Sequence, residues 1–446
     1  ARRLGLIHDE EPPAPPPRLA MGPLPDDAPV PTSAGLAAAL SKPTSAPALG
    51  SLTGVVLNPA TGQSLWSRNP DRAMVPGSTG KLLTAAAVLL TKEPTARLST
   101  RVVAGATPDS VVLVGGGDPT LSVLPAPGGA GDDAATRKAS PTTDTATESV
   151  YAGAAKLDTL AAEVRAAHPG PIRSVAVDVS LFTGPGLAPG WDPADIVGGQ
   201  MTSIEPLILD GGRSKPDELD PPRTATPAVD AGKALAKRLG ADQATVQVHT
   251  ASPGAAVLGE VRSPTIADLV ENALRISDNV LAESLARQVA LTRGAEPSFA
   301  GAARAVRETL SDAGFDVDGA RMVDGSGLST ADQVPARLLG QIMAAASGPA
   351  SDPRSARLRP LLAGLPVAGG DGTLDDRFDN GDAVAGRGFV RAKTGTLTGV
   401  STLAGVVTDH DGRLLTFALM SNGTSPAESR PRLDAIAAAL RTCGCR

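Results

Sequence analysis

The fold is decided at residues 75–90, which read Val75-Pro76-Gly77-Ser78-Thr79-Gly80-Lys81 and then Leu82-Leu83-Thr84-Ala85-Ala86-Ala87-Val88-Leu89-Leu90. The second part contains no Gly, Pro or charged residue, so it predicts a buried helix that begins just after the glycine. Ser78 and Lys81 are three residues apart, about one helical turn, so their side chains share one face. The N–H groups and the dipole at a helix start favour negative charge on the serine oxygen.

A serine hydroxyl becomes a useful nucleophile when a neighbouring base accepts its proton. Lys81 is such a base only when neutral, and burial or a second cation lowers the pKa of a lysine. The chain has only nine lysines, and among them Lys393 is the candidate for that second cation. Because short motifs also arise by chance, the alternative that Lys81 is a solvated helix lysine stays open at this point.

A second polar cluster is Lys393-Thr394-Gly395, at the end of a strand predicted from Phe389 onward. A lysine at a strand edge, followed by small residues, leaves backbone N–H groups available to an extended peptide. Gly395 lets that peptide approach the backbone closely. The alternative is a surface strand that simply ends in a turn.

A third cluster, Ser277-Asp278-Asn279, lies between two predicted helices. A hydroxyl at this place could move a proton, and an amide could hold a substrate carbonyl. The alternative is an N-cap for the helix that starts near Asn279.

Composition excludes several other classes of function. The formal charge is −6 and the aromatic residues are six Phe, two Trp and one Tyr, which argues against nucleic-acid binding. None of the four His stands in a recognisable triad, and there is no Gly-x-Ser-x-Gly elbow. No apolar run approaches 18 residues, and the two cysteines, Cys443 and Cys445, are either bridged to each other or free.

The order of predicted elements indicates an α/β sandwich, because a strand pair is followed by helices, further strands and a closing helix. The strand pair is a hairpin at residues 53–68, and the last strands lie near 403–407 and 414–420. Within the middle of the chain, we expect one helix at 152–167. Another helix is expected to start with Ser263 as N-cap and Pro264 as its first residue.

The three clusters occur in the order Ser-x-x-Lys, Ser-x-Asn, Lys-Thr-Gly, which is a known signature of penicillin-binding proteins and serine β-lactamases. Ser277 lies 199 residues after Ser78, an interval too long for class A β-lactamases. The layout resembles the D-alanyl-D-alanine carboxypeptidase/endopeptidase family, the class C low-molecular-mass penicillin-binding proteins (peptidase family S13). Further similar segments are residues 115–121, 177–182, 209–212, 324–329 and 371–374.

The resemblance implies a role for each polar member of the clusters. Ser78 attacks the carbonyl between two D-alanines, and Lys81 is the general base. Ser277 passes the proton to the leaving amine with help from Lys393. Asn279 holds Lys81 and the substrate amide.

The resemblance also implies which residues contact the substrate: Thr394, Gly395, Thr396, Leu328 and Ser326. Thr394 and Thr396 bind the terminal carboxylate, and the backbone N–H groups of Ser78 and Thr396 form the oxyanion hole. No metal and no cofactor is implied. A loop at residues 324–329 is expected to line the cleft.

The implied fold is a penicillin-binding/β-lactamase-like transpeptidase fold, with an antiparallel sheet flanked by helices and an inserted mixed α/β module. The catalytic domain would comprise residues 33–92 and 256–446, and the insert residues 93–255 with a low-complexity loop at 124–149. Residues 1–32 read as a Pro-rich linker.

The implied protein is a serine DD-peptidase that binds peptidoglycan stem peptides and β-lactams. We expect it outside the cytoplasm, touching a membrane only through an N-terminal segment that this sequence lacks. The alternatives are a serine β-lactamase and a catalytically inactive cell-wall-binding module.

Overall fold

The structure is a computed structural model that describes residues 28–125 and 148–444. Most of the predicted linker at 1–32 and of the predicted loop at 124–149 therefore lies outside the described residues. Cys445 also lies outside the described residues, so the expected alternatives for the two cysteines, bridged or free, stay open.

The strands run antiparallel or parallel in three sheets, and their bounds follow in chain order. They are β1 (Ser51–Leu57), β2 (Ser64–Arg68), β3 (Ala73–Met74), β4 (Arg97–Ala104), β5 (Ser110–Val114), β6 (Ser174–Asp178), β7 (Thr245–Val248), β8 (Val257–Thr265), β9 (Val334–Pro335), β10 (Val390–Leu397), β11 (Val400–Thr408) and β12 (Leu414–Asn422). The predicted hairpin is confirmed as β1 and β2.

The α-helices include the predicted apolar helix, which is confirmed as α2. Their bounds are α1 (Ser33–Ser41), α2 (Lys81–Thr91), α3 (Leu157–Ala167), α4 (Ala194–Val197), α5 (Pro227–Arg238), α6 (Ile266–Arg275), α7 (Asn279–Thr292), α8 (Phe299–Asp312), α9 (Ala336–Ala346), α10 (Pro353–Leu358), α11 (Pro360–Ala363) and α12 (Pro426–Thr442). None of these helices is both long and apolar enough to cross a bilayer, as far as the described residues go.

The first sheet has the strand order β10–β11–β12–β1–β2, and every neighbouring pair is antiparallel. Side chains alternate across β12 because successive residues of a strand point to opposite faces. Phe417 and Leu419 belong to the core that contains α1 and α12, whereas Ala418 and Met420 belong to the core that contains α2, α6, α7 and α9. The expected antiparallel sheet flanked by helices is therefore confirmed.

The second sheet has the order β7–β6–β5–β4–β8, with β5, β6 and β7 parallel and the remaining pairs antiparallel. Helices α3 and α5 pack on it and share its core. The predicted insert at 93–255 leaves out β8, which pairs with β4 from Arg97 to Val103. A division of the chain that keeps this sheet whole ends near Thr265 rather than at residue 255.

Two predicted helix starts are wrong. The helix expected from residue 152 begins at Leu157, because Gly153 has φ +73° and Lys156 is still extended. The helix expected at Ser263 and Pro264 begins later, because β8 continues through both residues.

Thr265 is the true N-cap of α6. Its hydroxyl accepts a hydrogen bond from the Asp268 N–H at 3.2 Å, and the Asp268 carboxylate accepts one from the Thr265 N–H at 3.0 Å. This reciprocal capping box satisfies two N–H groups that a helix start otherwise leaves without partners. A cap with two bonds outweighs the weaker preference for Ser-Pro at a helix start.

We expect Thr265→Ala to lower the free energy of unfolding by about 1 kcal/mol, because it removes the N-cap acceptor. Thr265→Ser keeps the hydroxyl and should retain most of the stability. Urea denaturation followed by circular dichroism measures the difference. Equal midpoints for the alanine and serine variants would contradict the assigned cap.

Candidate active site

Lys81 is the centre of the site and is only 1% exposed. Ser78 precedes it in a 3-10 turn, Gly77–Gly80, which runs directly into α2. The Lys81 ammonium donates to Ser78 Oγ at 2.8 Å, to Asn279 Oδ1 at 2.6 Å and to the Ser326 carbonyl at 2.9 Å. The alternative of a solvated helix lysine is therefore wrong.

Lys393 forms a second, parallel pair with Ser277. Its side chain is fully buried, and Nζ donates to Ser277 Oγ at 2.8 Å and to the Thr394 carbonyl at 2.9 Å. Ser277 has φ +59°, a left-handed conformation that costs a non-glycine residue about 1 kcal/mol or more. The surrounding structure must hold this turn, because the backbone does not favour it.

The expected N-cap at the third cluster is also present. The Asp278 carboxylate accepts from the Leu281 N–H at 2.8 Å and caps α7. Because Asp278 takes the capping role, its two neighbours, Ser277 and Asn279, are left to meet the two lysines. The capping and catalytic interpretations of this cluster are thus compatible.

Strand β10 is an edge strand of the first sheet, and it carries the Lys-Thr-Gly cluster beside the Ser78 turn. A Cβ on Gly395 would lie 2.5 Å from the Pro76 carbonyl and 3.1 Å from the Ser78 nitrogen, so only glycine fits there. A Cβ on Gly77 would lie 3.1 Å from the Thr396 nitrogen. The backbone amides of Ser78 and Thr396 are therefore neighbours.

A group of hydroxyls fastens the Ser78 turn to the sheet. The Pro76 carbonyl accepts from Thr79 Oγ1 and from Thr402 Oγ1, each at 2.7 Å. Both threonines are buried, and their hydroxyls are 3.1 Å apart. These hydrogen bonds fix the position of the Ser78 turn relative to β11.

Burial lowers the pKa of Lys81 to about 8, and the charges of Asp324, Asp278 and Glu283 limit that fall. Burial and then the charge of Lys81 lower the pKa of Lys393 well below its usual range. Of the two expected causes, burial lowers the pKa of Lys81, whereas the charge of Lys393 is not among the causes of that shift.

Two further buried acids lie on the inner side of the site. Burial, followed by the charge of Asp324, raises the pKa of Glu283 to about 8 and that of Asp332 to about 9. Glu283 also lies 3.6 Å from the buried guanidinium of Arg287. Burial therefore favours the neutral form of both acids.

The loop at residues 324–329 supports Lys81 in a way the sequence analysis did not foresee. Asp324 accepts from the N–H groups of Ser326, Gly327 and Ser329 at 2.7–3.0 Å and from the Trp191 indole at 2.9 Å. Ser326 is fully buried, and its carbonyl contacts Lys81. Leu328 is partly exposed. The contact of these two residues with substrate stays a prediction.

Arg430 is a site residue that the sequence analysis missed. From α12 it donates through Nε to Thr396 Oγ1 at 3.2 Å. Thr394, two residues earlier in the same strand, has its Oγ1 2.8 Å from Thr373 Oγ1. No local pattern marked Arg430, because it lies 34 residues beyond Thr396 on a helix that contains two other arginines, Arg432 and Arg441.

Comparisons with known proteins agree with this geometry. A model of the D-Ala-D-Ala carboxypeptidase 3 (S13) family matches residues 36–224 and 222–443. A carboxypeptidase of Mycobacterium tuberculosis is 44% identical over 445 residues, a match that covers 97% of this chain and 90% of that protein.

Two solved structures have a similar fold. The crystal structure of penicillin binding protein 4 from Haemophilus influenzae gives a TM-score of 0.69 at 20% identity and covers 90% of this chain and 97% of that one. The same protein complexed with a β-lactam gives 0.62 at 20% identity, covering 89% and 97%. The predicted penicillin-binding fold and the predicted family are confirmed. The chain therefore belongs to the D-Ala-D-Ala carboxypeptidase (S13) family, and it is a serine DD-peptidase.

Proposed function

We propose that Ser78 is the nucleophile of this peptidase and that Lys81 is its general base. The observation that carries the proposal is the 2.8 Å contact between Lys81 Nζ and Ser78 Oγ, made by a lysine that is itself buried and held by Asn279 and Ser326. A neutral Lys81 takes the hydroxyl proton as Oγ bonds to the carbonyl carbon of the penultimate D-alanine.

The remaining steps use the second pair of residues. The backbone amides of Ser78 and Thr396 receive the oxyanion of the tetrahedral intermediate. As the C–N bond breaks, the proton that Lys81 took reaches the leaving amine by way of Ser277, which gives its own hydroxyl proton to the amine and receives that proton in exchange, while Lys393 holds the Ser277 hydroxyl in place. Lys81 is then neutral again. It takes a proton from the water that attacks the ester and returns that proton to Ser78 Oγ as the ester breaks.

We further propose that Thr394, Thr396 and Arg430 bind the carboxylate of the terminal D-alanine. A guanidinium beside two threonine hydroxyls is suited to a carboxylate, because charge-assisted hydrogen bonds are the stronger ones. The stem peptide would lie extended along the edge of β10, where Gly395 leaves room for its backbone. Leu328 would line the same cleft.

The wider setting is part of the same proposal. Peptidoglycan stem peptides are the substrate and β-lactams acylate Ser78, which places the enzyme outside the cytoplasm, where that polymer lies. The catalytic domain is discontinuous, from about residue 33 to 92 and again from about 266, and the second sheet is the insert.

A reporter penicillin should add its mass once to the wild-type protein and not to Ser78→Ala, because the adduct is an ester on Ser78. Intact mass spectrometry measures the adduct, and Ser67→Ala, an exposed serine, is the matched control. An adduct that survives Ser78→Ala would contradict the proposal. Loss of the adduct within seconds would instead favour the β-lactamase alternative.

The acylation rate should rise with pH and level off above about 8, because Lys81 must be neutral to accept the proton. Below that value the second-order rate constant should fall about tenfold per pH unit, as expected for loss of one proton. Stopped-flow fluorescence from pH 6 to 9.5 measures it. A rate constant that does not change over this range would count against Lys81 as the base.

Arg430→Ala should raise KM for a peptide that ends in D-Ala-D-Ala by about 10- to 100-fold, with a smaller change in kcat. A hydrogen bond to a charged group contributes about 1.5–3 kcal/mol, which corresponds to this range. Arg432→Ala, an exposed arginine on the same helix, is the control. For a peptide whose terminus is amidated, Arg430→Ala and the wild type should have the same KM, and a persistent difference would refute the carboxylate contact.

A further inference from the structure

The segment between β6 and α5 carries two arginines that contact Asp278 beside the catalytic site, and we propose that Arg213 and Arg223 are positioning residues for that site. By holding Asp278 between them, they fix the turn that presents Ser277 to Lys393 and Asn279 to Lys81. The inserted module would thus be a working part of the active site. This inference rests on the proposed roles of Ser78 and Lys81.

Both guanidinium groups contact the same carboxylate oxygen. Arg213 Nη2 lies 2.7 Å and Arg223 Nη2 lies 3.0 Å from Asp278 Oδ2, and none of the three side chains is more than 2% exposed. Burial alone would raise the pKa of Asp278, but the charges of Arg223 and Arg213 outweigh it and hold that pKa well below its usual range. The ionised form of Asp278, bound to both arginines, is therefore favoured at neutral pH.

The arginines are themselves held by the inserted segment. Arg213 donates to the Tyr151 hydroxyl at 2.8 Å, and its side chain lies over the Tyr151 ring. Arg223 donates to the carbonyls of Gly199 at 2.7 Å and Gly211 at 2.9 Å. Each guanidinium therefore has a fixed direction, and the position of Asp278 follows from the inserted module.

Asn279 is oriented by the same module. Its Nδ2 donates to the Gln200 carbonyl at 2.9 Å, which leaves Oδ1 to accept from Lys81 at 2.6 Å. Because an amide has one donor end and one acceptor end, the Gln200 contact decides which end meets the lysine. Ser277, which has a left-handed backbone conformation, directly precedes Asp278. The contacts of Arg213 and Arg223 with Asp278 therefore stabilise the strained turn at the next residue.

Stability alone does not account for two buried arginines on one carboxylate. Apolar residues of similar volume often stabilise a protein as well as a buried ion pair does. An apolar contact, however, would not fix the direction of the turn, since hydrophobic packing is not directional. The arginine clamp, formed by Arg213 and Arg223 on Asp278, fixes the orientation of the turn. Asn279 and Ser277 need that fixed orientation to meet Lys81 and Lys393.

The test compares Arg213→Lys and Arg223→Lys with the wild type in acylation by a reporter penicillin. Each variant keeps its charge but loses the forked geometry of the guanidinium. We expect the maximal acylation rate constant to fall about 10- to 100-fold, the range seen for small misplacements of catalytic groups. The half-saturating concentration should change by less than about threefold, because Thr394, Thr396 and Arg430 are untouched.

The matched control is Arg357→Lys, which affects a guanidinium that binds the Leu89 and Lys92 carbonyls at the far end of α2. It should lower Tm without changing the maximal acylation rate constant of the folded protein. Tyr151→Phe is a milder variant that removes one bond to Arg213 and should lower that constant a few-fold, which keeps the test available if an arginine variant fails to fold.

Arginine variants that lower only Tm, as Arg357→Lys does, would overturn the positioning role. If the arginine variants do not fold, an unchanged maximal rate constant in Tyr151→Phe would do the same. A wild-type protein that forms no adduct would instead refute the proposed function, so the two failures are distinguishable.

Discussion

A lysine that is to activate Ser78 must be buried away from water, and its amino group must still have hydrogen-bond acceptors within reach. Lys81 meets this constraint with Asn279 and Ser326 in addition to Ser78 itself. Burial disfavours the charged form, while the nearby carboxylates favour it, and the balance leaves a lysine that can exchange its proton near neutral pH. Each of the three acceptors belongs to a different segment of the chain, so the rest of the fold has to bring those segments together.

The catalytic domain and the inserted module each hold some of these segments in place. Helix α2 is buried in the core that it shares with α6, α7, α8 and α9, and the turn that precedes it is bonded to β11 through Thr79 and Thr402, which fixes Lys81 and Ser78 relative to the first sheet. The other two acceptors are held from the inserted module, Asn279 through Gln200 and Ser326 through Asp324 and Trp191. A catalytic lysine can therefore be rigidly placed although its partners are far apart in sequence.

Local elements were predictable wherever the signal lay within a few residues. The hairpin and α2 follow from turn residues and from an uninterrupted apolar run, and both are confirmed. Helix starts were less predictable, since Ser263 and Pro264 look like a cap yet lie in β8, where pairing with β4 prevails. Arg430 and the arginine clamp carried no local signal at all, because each meets its partner across tens of residues.

By itself, the sequence determined the polar groups of the site, their order along the chain and the family to which they point. The tertiary structure alone decided that Lys81 and Lys393 are buried, that Ser326 acts through its carbonyl and that Asp278 is bound by two arginines. The physical reason is the distance along the chain over which each interaction acts. Caps, turns and hydrophobic periodicity act over a few residues, whereas burial, and the pKa values that follow from it, depends on every segment that excludes water.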